Sequence, residues 1–109
     1  MRYGKTLAAT AVIAAISLPA FADYTVKGSV DCEAIIKEDA NENYREFNKW
    51  WLLGYFSARN YVADIAGDKG SVGKGIDDDN LYSMALDYCK ANRNGDWDDA
   101  SRHVYDLLD

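Results

Sequence analysis

The chain has little histidine, little cysteine and almost no proline, and each shortage excludes something. One histidine and two cysteines among 109 residues leave too few ligands and nucleophiles for most metal sites and catalytic triads. The only proline, Pro19, lies near the N-terminus, so the rest of the chain is free to be largely helical. A net charge of −6 argues against a nucleic-acid partner, because phosphate binding requires a basic face.

Apolar residues are plentiful, by contrast, and they predict a folded domain. Hydrophobic residues make up 49% of the chain and aromatic residues 13%, which excludes a disordered polypeptide. A length of 109 residues leaves room for one domain at most.

Residues 1–22 have the pattern of a secretory signal peptide that is cleaved on export. Arg2 and Lys5 form a short basic segment, an uncharged run follows, and Ala20-Phe21-Ala22 is a small-x-small cleavage site. The alternative is a membrane anchor, but the uncharged run of about 17 residues is shorter than the roughly 20 apolar residues that span a bilayer. We therefore expect a periplasmic protein without a membrane anchor, in which residues 23–109 form a single helical domain.

The two cysteines, Cys32 and Cys89, both lie in the mature chain. In an oxidising compartment, two cysteines in a small domain predict one disulfide. A reactive thiol is the alternative, but the sequence has no C-x-x-C motif. Closing so long a loop contributes about 4 kcal/mol in the chain-entropy model, which is comparable with the whole stability of so small a core.

Apolar spacing and capping residues predict an all-α fold, a small bundle of about four helices stapled by one disulfide. Acidic residues precede three of the helices, where a carboxylate can accept hydrogen bonds from free backbone N–H groups. The predicted helices span about residues 32–38, 44–66, 80–90 and 97–108, and the acidic residues are Asp31, the run Asp77-Asp78-Asp79, and Asp96.

The second and longest predicted helix is apolar almost all round, which indicates a central helix covered by its neighbours. Its clearest stripe is predicted to face inward, with a glycine that lets another helix approach closely. The stripe consists of Phe47, Trp51, Gly54, Ala58, Tyr61 and Ile65. The inward residues predicted for the last helix are Trp97, Ala100, Val104 and Leu107.

Residues 67–75 hold four glycines and two lysines and predict a mobile, basic, exposed loop. A phosphate-binding loop is excluded, because Asp68 stands where that motif needs glycine and Gly75 where it needs serine or threonine. Exposed loops often carry binding function. The residues expected to contact a protein partner are Lys69, Ser71, Val72 and Lys74, and the alternative is a loop that serves only as a connector.

No candidate catalytic or metal-binding residues have the spacing that such a site requires. Consecutive aspartates at residues 77–79 point in different directions and do not match a calcium loop. His103 lies beside Asp99 and Asp106 on a polar helix face, without a second histidine or a nucleophile motif near it. We therefore expect no enzymatic activity, no metal and no cofactor.

Two segments of the chain carry a resemblance to a known family. Residues 51–62, WLLGYFSARNYV, resemble the W-x-x-G-Y-x-S-x-x-N segment of the Rap1a/Tai family, which comprises periplasmic immunity proteins of type VI secretion. Residues 87–92, DYCKAN, are similar to the D/N-Y-C-x-A-N segment of that family, and Cys32 and Ala100 fit its spacing. Arg93 departs from it, because proline is usual there. The resemblance covers most of residues 31–108 and implies an immunity protein that binds and blocks a toxic peptidoglycan amidase effector.

The overall layout is also similar to that of periplasmic acid-stress chaperones of the HdeA type. That likeness implies an acid-activated chaperone for unfolded client proteins. Without Arg2 and Lys5, the 12 basic residues become 10 against 18 acidic ones, a net charge of −8. Protonating every carboxylate and His103 would change this to +11, and the self-repulsion would strain the compact state.

Aromatic residues also suggest a homodimer. The mature chain keeps three tryptophans and all of the eight tyrosines except Tyr3. So many aromatic side chains can exceed what one small core covers.

Overall fold

The computed structural model describes residues 24–109, which fold into four helices around one core. The helices are α1 (Cys32–Glu38), α2 (Glu42–Ile65), α3 (Asp78–Ala91) and α4 (Trp97–Leu108), and the described part contains no strand. The predicted all-α bundle of four helices is confirmed. The predicted signal peptide, residues 1–22, lies outside the described residues. Among the helices of residues 24–109, none is long and apolar enough to cross a membrane.

Each helix begins at a side chain that accepts a hydrogen bond from a backbone N–H group of its first turn. The four capping residues are Asp31, Asn41, Asp77 and Asp96. Asp96 forms a complete capping box, in which its Oδ1 accepts from the Asp99 N–H at 2.8 Å and Asp99 Oδ2 accepts from the Asp96 N–H at 3.1 Å. The predicted aspartate caps are confirmed, and α3 begins two residues earlier than expected because Asp77 itself is the cap.

The disulfide joins Cys32 at the start of α1 to Cys89 near the end of α3, and both residues are fully buried. Two backbone hydrogen bonds tie the same region to the start of α4. The Cys32 N–H donates to Gly95 O at 2.9 Å, and the Trp97 N–H donates to Val30 O at 2.8 Å. Three helix ends therefore meet at one covalently linked point.

Trp97 is fully buried at the centre of the core. Its indole Nε1 donates to the backbone carbonyl of Asn48 at 2.8 Å, and its ring packs against Tyr82 at a centroid distance of 5.7 Å. The hydrogen bond satisfies the only polar group of the indole, so the large ring is buried without an unpaired donor.

The predicted inward stripe of α2 is wrong: most of it lies on the outside. Phe47 is 70% exposed, Tyr61 67% and Ile65 66%. The buried face is the opposite one, formed by Asn48, Leu52 and Phe56 at intervals of four residues. These residues pack against α3 and α4, so α2 is covered on one side and not all round as expected.

Two further packing predictions are also wrong. A Cβ built at Gly54 would meet no atom within 4 Å, so no helix approaches it. On α4, Leu107 is 65% exposed, whereas Tyr105 is buried and Leu108 packs against the core in its place. The predicted inward positions of Trp97, Ala100 and Val104 are confirmed.

Candidate functional site

The segment between α2 and α3, residues 67–75, is anchored along the side of α2. Its entry follows a helix end of the Schellman type, with the Asp68 N–H donating to Ala63 O at 2.8 Å and the Gly67 N–H donating to Asp64 O at 3.1 Å. Gly67 has φ = +92°, which glycine adopts at low cost. The predicted role of Gly67 at the C-terminus of this helix is confirmed.

Asn60 of α2 holds the middle of the loop. Its Nδ2 donates to Val72 O and its Oδ1 accepts from the Val72 N–H, both at 3.0 Å. The same Oδ1 accepts from the Tyr105 hydroxyl at 2.8 Å, so one carboxamide links the loop, α2 and α4. The loop is therefore fixed at its centre and not free as we expected.

Close backbone contact adds to this anchoring. A Cβ at Gly70, which has φ = +61°, would lie 2.5 Å from the backbone carbonyl oxygen of Asn60. A Cβ at Gly73 would lie 3.1 Å from the ring of Phe56. Glycine at positions 70 and 73 therefore allows the loop to lie close to α2.

The structure separates the four predicted contact residues into two groups. Lys69, Ser71 and Lys74 are exposed and face solvent. Val72 is half-buried and packs against the core, so it anchors the loop more than it offers a contact. Lys69 and Lys74 place two ammonium groups on a chain whose net charge is negative.

A groove lies on each side of the loop. The larger, of about 970 Å³, is bounded by α2, the loop and the end of α4, and its lining includes Tyr55, Arg59, Val62, Tyr105 and Leu108. The smaller, of about 620 Å³, is bounded by Trp50, Leu53 and Ser57 of α2 and by the start of α3. The loop thus forms a ridge between two concave surfaces.

Arg59 and Tyr105 form one wall of the larger groove. The guanidinium carbon of Arg59 lies 3.9 Å from the centroid of the Tyr105 ring, and its Nη1 donates to Asp106 Oδ1 at 2.9 Å. Burial raises the pKa of Tyr105, although the nearby Arg59 opposes the rise. The phenol therefore stays protonated at neutral pH and donates to Asn60.

Residues 51–62, the segment that carries the family resemblance, make contacts that position other parts of this fold. Trp51 Nε1 donates to Lys27 O at 2.9 Å and so holds the segment that precedes α1. Tyr55 stacks on Trp51 at 6.0 Å and meets Tyr105 edge-on at 6.5 Å. Together with Asn60, these side chains position the N-terminal segment, α4 and the loop.

Three carboxylates cluster at the start of α4 but serve the helix terminus. Oxygen atoms of Asp96, Asp98 and Asp99 lie within 4.8 Å of one another. Asp96 and Asp99 form the capping box, and Arg102 donates to Asp98 at 3.1 Å and to Asp99 at 2.8 Å. These contacts account for the cluster: its carboxylates cap the N-terminus of α4 and pair with Arg102.

His103 lies on the exposed side of α4, where its ring packs against Tyr88 at a centroid distance of 4.9 Å. The two residues that sequence reasoning missed are Asn60 and Tyr105. The signal for Asn60 was its position as the asparagine that ends the W-x-x-G-Y-x-S-x-x-N pattern of residues 51–60.

Comparison with known proteins gives no relative: no family model matches the chain, and neither a curated protein nor a solved structure matches it.

Proposed function

We propose that this chain is a non-enzymatic periplasmic binding protein, an immunity protein that binds and blocks a toxic peptidoglycan amidase of a type VI secretion system. The observation that carries the proposal is the anchored loop of residues 67–75, which presents Lys69, Ser71 and Lys74 as a ridge between two grooves. A loop held in one conformation before binding loses less conformational entropy in the complex. An inhibitor that fills an enzyme cleft benefits from this pre-organisation.

The covalent framework supports the same function. The Cys32–Cys89 disulfide fits an oxidising compartment, where a cell-wall amidase acts. It also fixes the bundle to which the loop is attached through Asn60. Asn60 belongs to the segment that resembles the Rap1a/Tai immunity proteins, so the resemblance and the loop geometry depend on the same residue.

Charge supports a cleft with acidic groups as the target of the loop. Lys69 and Lys74 extend into solvent from a chain with a net charge of −6. The ammonium groups can pair with carboxylates at the mouth of an enzyme cleft. The remaining negative charge accelerates encounter with a basic surface around that cleft.

The test is binding to the product of the neighbouring gene, which the proposal expects to be a cell-wall amidase, measured by co-purification and by titration calorimetry. The variant Lys69→Glu/Lys74→Glu should weaken binding on the order of 100-fold, because attraction is replaced by repulsion at the contact. The control Lys37→Glu/Lys90→Glu makes the same change of charge at exposed positions on α1 and α3 and should bind within about threefold of the wild type. Equal weakening by both variants would remove the loop from the interface, and no binding by the wild type would refute the proposed function.

An acid-activated chaperone is the second candidate, and the helix caps favour it. Aspartates cap α1, α3 and α4, so three of the four helix N-termini depend on hydrogen bonds to a carboxylate. Loss of these caps in strong acid would loosen the helices and expose core aromatics to unfolded clients. Suppression of client aggregation at pH 2–3 by the added protein supports this function, and unchanged aggregation excludes it.

A further inference from the structure

The larger of the two grooves has an apolar floor and a guanidinium group near one end. It runs along α2 from Tyr55 to Ala66, roughly 16 Å at 1.5 Å per residue. Its volume of about 970 Å³ is within the range of pockets that enclose a small ligand. Arg59 lines it close to the Tyr55 end. The apolar side chains along it, which we call the groove floor, are Val62, Ala66, Val72 and Leu108.

Arg59 is fixed in place but keeps hydrogen-bond donors for a ligand. Its guanidinium carbon lies 3.9 Å from the centroid of the Tyr105 ring, and its Nη1 donates to Asp106 at 2.9 Å and to the Tyr55 hydroxyl at 3.4 Å. Its Nε and Nη2 donate to no acceptor within residues 24–109. These two nitrogen atoms form the edge of a guanidinium group that binds both oxygen atoms of a carboxylate. The Arg59 side chain is 36% exposed, so this edge is accessible.

The loop adds backbone groups that can pair with a second chain. Within the described part of the protein, the N–H groups of Gly70, Ser71 and Gly73 donate to no protein acceptor, and all three residues line the groove. The hydrogen bonds between Asn60 and Val72 hold this stretch in one conformation. An extended peptide recognised by its chain end and its backbone uses groups of this kind, whereas an alkyl chain has no carbonyl to accept from them.

We propose that the larger groove binds a short free peptide by its C-terminal carboxylate. The carboxylate pairs with Arg59, the peptide backbone lies beside the loop, and small apolar side chains pack on the groove floor. An extended tripeptide with an acetyl group spans roughly 13 Å, which fits the length of the groove. The groove therefore accommodates the whole of such a ligand.

The charges along the groove favour a peptide whose only charge is its terminal carboxylate. Arg59, Lys69 and Lys74 line the groove with positive charge, against the acidic residues Asp68 and Asp109. Basic groups are thus in excess here, on a chain that has 12 basic and 18 acidic residues in all. An acidic side chain on the ligand would meet repulsion from Asp68 or Asp109, so we expect neutral side chains.

Amide hydrolysis is the class of reaction that supplies such a ligand. It adds water across the bond and leaves a carboxylate on one product and an amine on the other. Peptides released from the cell wall by an amidase therefore carry the group that Arg59 can bind. This source rests on the proposed function, whereas the binding of a carboxylate-ended peptide does not.

The test is a titration of the disulfide-bonded chain followed by the NMR signals of its backbone amides. The probe is acetyl-Ala-Ala-Ala with a free carboxylate, and we expect saturable shifts of the Gly70, Ser71 and Gly73 amides with a Kd on the order of 1 mM. The same tripeptide with a C-terminal amide should bind at least about 10-fold more weakly, because it lacks the charge that pairs with Arg59. Octanoate has a carboxylate but no peptide group, and it should leave these three amides unshifted.

Substitutions locate the binding site. Arg59→Gln should weaken binding of the free acid at least about 10-fold and abolish its preference over the amide. Arg93→Gln is the matched control, because Arg93 also pairs with one carboxylate at an exposed site outside the groove, and it should bind like the wild type. Ala58→Glu leaves Arg59 in place and adds a carboxylate at an exposed lining position, so it should weaken binding as well. Ser83→Glu, exposed on α3, is its control.

Three results would overturn the proposal. The first is the absence of saturable shifts at the three loop amides up to about 10 mM free acid, roughly ten times the expected Kd. The second is equal binding of the free acid and the amide, or equal shifts with octanoate. The third is wild-type binding by both Ala58→Glu and an Arg59→Gln variant that circular dichroism shows to be folded. The titration contains no amidase, so its outcome is independent of whether the proposed immunity function holds.

Discussion

Asn60 and Val72 are joined by two hydrogen bonds. The side-chain carboxamide of Asn60 donates to the backbone carbonyl of Val72 and accepts from its backbone N–H, both at 3.0 Å. The pair determines where the loop of residues 67–75 lies. It fixes the loop centre against α2, and the exposed side chains on either side of Val72 take their positions from it. The proposed function depends on this attachment more than on any single contact residue.

Removal of the Asn60 carboxamide should free the loop. Asn60→Ala eliminates the two hydrogen bonds to Val72 and the one from Tyr105, and we expect the free energy of unfolding to fall by about 2–3 kcal/mol. Hydrogen exchange of the Val72 amide should accelerate more than that of core amides. The exposed Asn43→Ala is the control and should change neither quantity. Unaltered Val72 protection in Asn60→Ala would mean that the pair does not hold the loop.

Substitutions at two glycines of the same loop separate the cost of close packing from the cost of an unfavourable backbone conformation. Gly70 and Gly75 both have positive φ, +61° and +88°, but only Gly70 lies against α2. Gly75→Ala should cost about 1 kcal/mol, the ordinary penalty of a side chain in this conformation. Gly70→Ala should cost at least about 1 kcal/mol more, because its Cβ would press on the Asn60 carbonyl. Urea denaturation measures both, and equal losses would contradict the observed packing.

Reduction of the Cys32–Cys89 disulfide should destabilise the whole bundle. The link spans a sequence separation of 57, and its loss should lower the free energy of unfolding by about 4 kcal/mol. Thermal melts by circular dichroism, with and without dithiothreitol, measure the effect. The double variant Cys32→Ala/Cys89→Ala separates loss of the link from side reactions of free thiols. A melting temperature that does not change on reduction would contradict this account.

The raised pKa of Tyr82 predicts that the free energy of unfolding falls at alkaline pH. Burial raises the pKa of Tyr82 above its usual value. The Tyr82 hydroxyl donates a hydrogen bond to Asp39 Oδ1 at 2.7 Å, and this bond raises the pKa further. The folded state therefore keeps the phenol proton at pH values where the unfolded chain has lost it. The stabilisation is complete below about pH 10, the pKa of an unperturbed tyrosine, and is lost as the pH rises above that value.

The alkaline loss amounts to as much as about 1.4 kcal/mol per pH unit for one tyrosine. Tyr82→Phe cannot ionise, so it should be less stable than the wild type at pH 8 but lose less stability between pH 10 and 12. Urea denaturation across this range measures the two slopes. Identical slopes would show that Tyr82 ionises as readily in the folded state as in the unfolded chain.

Local signals in the sequence predict the helices of this protein well, but not which face of α2 is buried. The aspartate caps and the disulfide follow from residue chemistry alone, and the structure confirms them. On α2, apolar residues occupy two opposite faces, one with Phe47 and Tyr61 and one with Leu52 and Phe56. Periodicity does not distinguish them, because the choice depends on the surfaces that α3 and α4 present.

At the candidate site, too, the sequence predicts only part of the structure of the loop of residues 67–75. Its composition predicts exposure, and Lys69, Ser71 and Lys74 are exposed. Its attachment to Asn60 depends on two residues that are twelve positions apart and meet only after the chain folds back. A glycine-rich composition alone therefore suggests mobility, whereas tertiary hydrogen bonds fix the loop.

The most direct test of the proposed function is the rate of peptidoglycan hydrolysis by the product of the neighbouring gene, which the proposal expects to be a cell-wall amidase, titrated with this protein. The account predicts that hydrolysis stops near one equivalent of the wild type and of Lys37→Glu/Lys90→Glu. It predicts that hydrolysis persists at the same concentration of Lys69→Glu/Lys74→Glu. An amidase that keeps its full rate in excess wild-type protein would contradict the account.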